Sequence, residues 1–203
     1  MSDPGYEFLE APGETDDSPA LFLFHGTGGS EDQFFALGTE LMPGARRIAP
    51  RGDVSEAGAA RYFRRLAEGK YDMVDLGRAT RKMADFVNDR LGASPRVLTA
   101  GFGYSNGANI LAALLFEAPG HFDRAVLLHP LIPFVPAPQP GLAGRRVLIT
   151  AGRNDPICPA AETQRLADWF SAQGVDVALH WHDGGHEIRR DEVLAAQVFL
   201  GNG

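Results

Sequence analysis

Gly103-Tyr104-Ser105-Asn106-Gly107 lies between the apolar run Val97-Leu98-Thr99-Ala100 and the apolar-periodic run from Ile110 to Leu115, and its reading decides the fold. A serine between two glycines, placed where a strand turns sharply into a helix, reads as a nucleophile elbow. Small residues two before and two after the serine let strand and helix approach closely, so the hydroxyl projects from a strained turn instead of packing. A pattern with three fixed positions recurs by chance, so Ser105 as nucleophile depends on what the rest of the chain supplies.

Short β-type runs alternate with longer helical patterns on both sides of this segment. The predicted strands are Tyr6 to Glu10, Ala20 to Phe24, Arg47 to Pro50, Arg96 to Phe102, Arg124 to His129, Arg146 to Thr150 and Val175 to His182. The second, fourth, fifth and sixth are nearly continuous apolar runs, as strands buried on both faces of a parallel sheet require. The predicted helices are Asp32 to Leu41, Asp75 to Leu91, Asn106 to Glu117, Ala161 to Gln173 and Asp191 to Phe199. In the second of these, Leu76, Met83, Phe86, Val87 and Leu91 form one apolar face that packs on a sheet. The alternation predicts a doubly wound α/β architecture with about seven strands and helices on both sides.

Two stretches break the alternation: Gly52 to Lys70, and Ile132 to Gly141 with prolines at 133, 136, 138 and 140. Both follow predicted strand ends, where α/β sheets place their binding crevices. They are read either as walls of the site or as solvated connections.

The composition, 44% hydrophobic and 22% charged over 203 residues, suits one well-buried core, and a single domain over 1–203 is expected. The formal net charge of −7, with acids and bases interspersed, excludes a nucleic-acid surface. No segment is apolar for long enough to span a bilayer. The acidic start lacks the pattern of a secretory signal, and the lone Cys158 excludes an intramolecular disulfide. A cytoplasmic location is expected.

Nucleophilic serine needs a base within hydrogen-bond reach and an acid to hold that base. After the apolar strand Val147 to Thr150 comes Ala151-Gly152-Arg153-Asn154-Asp155-Pro156, which puts Asp155 just past a strand end. After the last strand, Asp183-Gly184-Gly185-His186-Glu187 puts His186 on a glycine-rich loop. Among the other histidines, His180 and His182 share one strand face and read as surface or half-buried residues. His129 lines the pocket or is a satisfied core histidine, and His121 is a loop residue. His25-Gly26-Thr27-Gly28-Gly29 ends the first apolar strand, and its glycines free the backbone to turn amides inward, with His25 orienting the loop. The amides of Thr27 and Asn106 are the expected oxyanion donors. The glycine run lacks the Lys-Ser or Lys-Thr of a phosphate loop and the spacing of a dinucleotide site. No Cys or His cluster has zinc spacing, so neither metal nor cofactor is expected.

Together with Pro50-Arg51-Gly52, Gly103 to Asn109 and Gly152 to Pro156, these segments resemble the small phospholipase/carboxylesterase group of α/β-hydrolases, relatives of acyl-protein thioesterases and dienelactone hydrolases. The likeness is greatest to the bacterial hydroquinone-associated carboxylesterase branch. It spans nearly the whole chain and implies a minimal α/β-hydrolase fold without a large cap, a Ser-His-Asp mechanism and often a homodimer. Dienelactone hydrolases usually carry cysteine where this chain has Ser105. Arg51 and Tyr62-Phe63-Arg64-Arg65 depart from the aromatic-acidic segment of acyl-protein thioesterases, which argues against long-chain lipid substrates.

The expected activity is hydrolysis of small, soluble carboxylic esters. The alternatives are a thioesterase or lysophospholipase, and a binding protein with a vestigial triad. Arg51, Tyr62, Phe63 and Arg64 are the candidate substrate-binding residues. Arg51 and Arg64 either reach the pocket and favour a substrate carboxylate, or sit in surface ion pairs.

Overall fold

The computed structural model describes residues 5–92 and 97–201. Seven strands form one sheet: β1 (Phe8–Ala11), β2 (Ala20–Phe24), β3 (Arg46–Pro50), β8 (Thr99–Tyr104), β9 (Arg124–Leu128), β10 (Arg146–Gly152) and β11 (Asp176–His182). Their spatial order is β1-β3-β2-β8-β9-β10-β11, with β1 antiparallel to β3 and the other neighbours parallel. Arg96, the first residue of the predicted fourth strand, lies outside the described residues.

The buried strands explain their own apolar runs. In β2, Ala20, Phe22 and Phe24 join the core on one face while Leu21 and Leu23 join the core on the other. In β9 the same alternation sends Ala125 and Leu127 one way and Val126 and Leu128 the other. The period of two therefore feeds two cores, and no face of these strands needs polar residues. Helices α2 (Met73–Leu91), α3 (Asn106–Glu117) and α4 (Ala160–Ala172) cover the first face, and α1 (Gly38–Leu41) and α5 (Arg190–Gly201) the second. The Asp72 carboxylate caps α2 by accepting from the Asp75 amide at 3.1 Å, and Gly92 ends it with φ +65°. This is an α/β-hydrolase core, and no large cap covers it among the described residues.

The predicted helix Asp32 to Leu41 is only its last turn. Residues 31–37 form successive turns, because their polar groups are used elsewhere. The Gln33 side chain accepts from the Gly26 amide at 2.8 Å, and Arg47 donates to the Phe35 carbonyl at 2.7 Å. Apolar spacing promised a helix here, and long-range hydrogen bonds to the β2 loop and to β3 prevailed.

Residues 52–71 make two small antiparallel hairpins, β4 (Val54–Glu56) with β5 (Ala59–Arg61) and β6 (Arg65–Ala67) with β7 (Lys70–Tyr71). Residues 132–136 pack against Arg165, Leu166 and Trp169 of α4, and Trp169 donates to the Pro136 carbonyl at 3.2 Å. Of the two irregular stretches, only the first borders the cleft described below.

Register aligns the strand ends that matter. Phe24 of β2 sits beside Gly103 of β8, Tyr104 of β8 beside Leu128 of β9, and Gly152 of β10 beside His182 of β11. The segments that follow, carrying His25, Ser105, His129, Asp155 and His186, leave the sheet along one edge.

Candidate active site

Ser105 adopts φ +52° and ψ −114°, a conformation that side chains rarely take. Both flanking glycines are needed for it. A Cβ on Gly103 would lie 2.6 Å from the Gly107 carbonyl, and one on Gly107 would lie 2.2 Å from the Phe24 oxygen. Strand β8 and helix α3 pass too closely for any side chain there.

The loops after β10 and β11 are joined in the same way. A Cβ on Gly152 would sit 2.1 Å from the Gly185 oxygen, and the Asn154 amide donates to Gly184 at 3.0 Å. This contact brings Asp155 and His186 together. His186 Nδ1 is 2.7 Å from Asp155 Oδ2, and His186 Nε2 is 3.0 Å from Ser105 Oγ. The amides of Ile157 and Cys158 donate to Asp155 Oδ1 at 2.8 and 2.9 Å. Burial alone would raise the Asp155 pKa, but hydrogen bonds from His129, His186 and these amides hold it far below the usual carboxylate range. With Asp155 ionised, His186 Nδ1 bears the hydrogen and Nε2 offers its lone pair to the Ser105 hydroxyl. Tyr104 steadies the histidine loop by donating to the His186 carbonyl at 2.7 Å.

Thr27 and Asn106 line the same cleft as Ser105, and their amides donate to no protein acceptor among the described residues. Arg61 clamps Thr27 through its hydroxyl at 2.7 Å, and the Asn106 side chain accepts from the Tyr62 amide at 2.8 Å. His25 holds the intervening loop: its Nε2 accepts from Gly52 at 2.9 Å, so its Nδ1 donates to the Gly26 carbonyl at 2.7 Å. Burial lowers its pKa and keeps it neutral in that role.

A cleft of about 260 Å³ opens over Ser105 and His186. Arg61, Arg65, Glu68 and Tyr71 of the two hairpins line it, together with Leu131, Ile157 and Cys158. Among the described residues no helix is long and apolar enough to cross a membrane.

The sequence pattern of the dienelactone hydrolase family matches residues 60–192. The chain belongs to the dienelactone hydrolase family. MhqD of Bacillus subtilis (strain 168), named as a candidate hydrolase, is 38% identical over 179 residues, covering 87% of this chain and 90% of that protein. The crystal structure of a carboxylesterase from Bacillus cereus is 35% identical with a TM-score of 0.87, covering 97% of this chain and 93% of that one. The Agrobacterium tumefaciens (strain C58) protein Atu2452, of unknown function, is 52% identical with a TM-score of 0.90, covering 97% and 96%. The kinship to phospholipase/carboxylesterase proteins expected from the motifs holds, and this family member is a hydrolase of the dienelactone hydrolase and carboxylesterase type.

The structure brings Ser105, Asp155, His186, Thr27 and Asn106 together, but not the four candidate substrate-binding residues. Tyr62 and Phe63 are fully buried, and the Tyr62 hydroxyl accepts from the His25 amide at 3.0 Å and donates to the Pro50 carbonyl at 2.9 Å. Arg51 is exposed beside Glu7 at 3.5 Å and Glu31 at 3.8 Å. Arg64 is exposed beside Asp72 at 3.6 Å and Asp75 at 3.2 Å. These are the surface ion pairs of the alternative reading. The arginines that border the cleft in this dienelactone hydrolase relative are Arg61 and Arg65. Arg61 is only 3% exposed, with its Nε 3.2 Å from Glu56. Their facing depends on two hairpins whose register the sequence did not reveal.

At this edge sequence reasoning missed Glu192 and the burial of His182, while His129 is the satisfied core histidine of its second reading. His129 Nδ1 lies 2.9 Å from the same Asp155 oxygen that holds His186, and its Nε2 is 3.0 Å from Glu192 Oε1. His182, read as surface or half-buried, is buried with its Nε2 3.3 Å from Glu192 Oε2. Glu192, in the first turn of α5, is fully buried. A carboxylate spaced like an ordinary helix-start residue gave no signal of this.

Proposed function

We propose that this chain is a serine carboxylesterase that hydrolyses small, soluble carboxylic esters through Ser105, His186 and Asp155. The observation that carries the reading is the continuous contact from Ser105 Oγ through His186 to Asp155, at 3.0 and 2.7 Å, on the floor of an open cleft.

His186 takes the Ser105 proton as the hydroxyl oxygen attacks the ester carbonyl carbon. The Thr27 and Asn106 amides receive the developing oxyanion, the second of them at the N-terminus of α3 where the helix dipole adds to the field. His186 then passes its proton to the departing alcohol. Water, deprotonated by the same imidazole, releases the acid and restores the hydroxyl. Asp155 remains ionised throughout, and the free pair of amides costs no reorganisation when the charge appears.

Cleft size favours short acyl groups. At about 260 Å³ it falls just below the range of roughly 300–1,000 Å³ usual for drug-sized ligands. The decisive experiment pairs Ser105→Ala and His186→Ala with an ester series of rising acyl length. Each variant is expected to keep its melting temperature and lose about 10⁴-fold or more in kcat on a short ester. Turnover retained by either would reject the triad. Rates that climb with acyl length, or a marked preference for thioesters, would select the thioesterase or lysophospholipase activity. Failure of an organophosphonate to label Ser105 would select the binding protein.

A further inference from the structure

His129 and Glu192 lie beyond the triad, and their partners specify where the protons are. Glu192 Oε1 accepts from the Thr150 hydroxyl at 2.6 Å, and Oε2 accepts from the Arg189 amide at 2.7 Å. These donors hold the carboxylate ionised although it is fully buried. Burial would raise its pKa, and the close contact with His129 together with hydrogen bonds from Thr150 and Arg189 instead lowers it. The Gly184 amide donates to His182 Nδ1 at 2.9 Å, so the hydrogen of that ring is on Nε2, facing Glu192. An Nε2 that already bears hydrogen has no lone pair for a cation, so His129, His182 and Glu192 do not form a metal site.

His129 is then caught between two carboxylates. Its Nδ1 meets Asp155 at 2.9 Å and its Nε2 meets Glu192 at 3.0 Å. A neutral ring has one hydrogen and would present a lone pair to an anion at one of these contacts, which are too short to admit a water between them. The His129 Nε2 contact is short but off the hydrogen-bond line, and the longer contact from the neutral His182 ring is off line as well. The other groups facing His129 are His182, His186, the Tyr104 ring and Cys158, whose thiol donates to the His129 carbonyl at 3.2 Å. Burial pushes the Tyr104 hydroxyl up to about 12 and the Cys158 thiol higher still, so both stay neutral. His129 also holds φ +50°, and Ser105 and His129 are two of the three described non-glycine residues with positive φ. Strain of that kind collects at functional sites.

We propose that His129 is a positioning residue held as an imidazolium between Asp155 and Glu192, and that Glu192 supplies the second buried negative charge that lets the triad histidine accept the serine proton. The proposal rests on the serine-hydrolase reading for its catalytic consequence. With His186 neutral, Asp155, His129 and Glu192 carry one net negative charge, and when His186 takes the Ser105 proton the buried set becomes neutral. Without Glu192, a charged His129 would cancel Asp155, and proton uptake would leave an uncompensated buried cation, which is costly in a medium of low polarity.

The same bridging sets a pH window. Burial disfavours charge on His129, but the hydrogen bond to Asp155 and the close contact with the Glu192 carboxylate outweigh it and hold the ring at about 9, against 6.5 unperturbed. A raised folded-state value gives stability that is full below about 6.5 and lost as pH rises through about 9.

Histidine proton and nitrogen-15 spectra of the resting wild-type enzyme test this directly. At about pH 8 one ring is expected to carry hydrogen on both nitrogens, to vanish in His129→Gln and to lose one hydrogen in Glu192→Gln. His182 is expected to carry hydrogen on Nε2 alone. A neutral His129 at that pH overturns the proposal. Glu192→Gln is expected to lower kcat about tenfold on a short ester with KM within about twofold, since Glu192 touches no substrate. Wild-type kcat in that variant also overturns it. Should Glu192→Gln fail to fold, Thr150→Val removes the hydroxyl that keeps Glu192 ionised. His129 is then expected to lose its charge at lower pH than in the wild type, and an unshifted titration overturns the proposal. Phosphonate labelling of Ser105 in the same wild-type sample judges the hydrolase reading separately, because the charge state of His129 is read without turnover.

Discussion

The elbow after β8 and the two hairpins after β3 border the same cleft, yet different forces hold them. The elbow is fixed by close backbone approach: Gly103 against Gly107, and Gly107 against the carbonyls of Phe24 and His25. The hairpins are fixed by side chains that reach across. Tyr62 is pinned to Asn106, His25 and Pro50, and Arg61 to Thr27 and Glu56. Steric exclusion tolerates almost no substitution, whereas hydrogen-bonded attachment degrades by degrees. The largest expected effect is accordingly at the elbow. Gly107→Ala places a Cβ 2.2 Å from the Phe24 oxygen, and backbone atoms must move to admit it. A loss of about 3 kcal/mol in stability is expected by denaturant titration, with ester turnover abolished in whatever remains folded. A Gly107→Ala enzyme of wild-type stability and rate would show that the close approach is not what shapes the turn.

This contrast also explains what was legible from sequence. Ser105, Asp155 and His186 are each announced by backbone-level signals: glycines at close approaches, a strand end and a loop rich in Gly184 and Gly185. Parallel pairing then sets those strand ends along one edge, so their meeting follows from fold class. The hairpin region offered only composition. Its arginines and aromatics are interspersed, and which of Arg61, Arg64 and Arg65 faces the cleft depends on where β5 and β6 start. With register undetermined, the sequence leaves open whether Arg64 reaches the cleft and does not separate buried Tyr62 from cleft-lining Arg61. The Asp32 to Leu41 helix failed for a related reason, because Gln33 and Phe35 bond to segments distant in sequence. Glu192 carried no local signal, and the place of His129 at a strand end marked it as a pocket or core histidine without naming its partners, since both residues share a buried interior with Asp155.

A middle-sized effect is expected where the two regions meet. Arg61→Ala frees the Thr27 hydroxyl, uncovers the Phe63 carbonyl and leaves Glu56 to Arg65 alone. In the proposed mechanism the Thr27 amide then loses its fixed aim at the oxyanion. A fall of about tenfold in kcat, larger than the change in KM, is expected from steady-state kinetics on a short ester. Arg61→Lys is expected to recover little of it, because an ammonium cannot reach the Thr27 hydroxyl and the Phe63 carbonyl with the fixed fork of a guanidinium. Full activity in Arg61→Ala would mean that the loop after β2 is held by His25 and its glycines alone, and that the hairpins merely border the cleft.

The smallest effects are expected at Arg51 and Arg64, and they test how local the attachment of the hairpins is. Arg64 is 63% exposed, and its guanidinium meets Asp72 and Asp75 from the solvent side. Asp75 keeps the Arg64 backbone amide at 2.7 Å and the Arg78 side chain at 2.7 Å when that guanidinium is removed. Arg51 is 45% exposed, and its two carboxylate contacts are 3.5 and 3.8 Å long. Ion pairs of this kind contribute under about 1 kcal/mol and are screened by salt. Arg51→Ala and Arg64→Ala are therefore expected to melt within a few degrees of wild type and to hydrolyse anionic and neutral short esters in the wild-type ratio. A selective loss on the anionic ester in either variant would place that guanidinium near bound substrate, and would mean that the 52–71 segment moves when the cleft is filled.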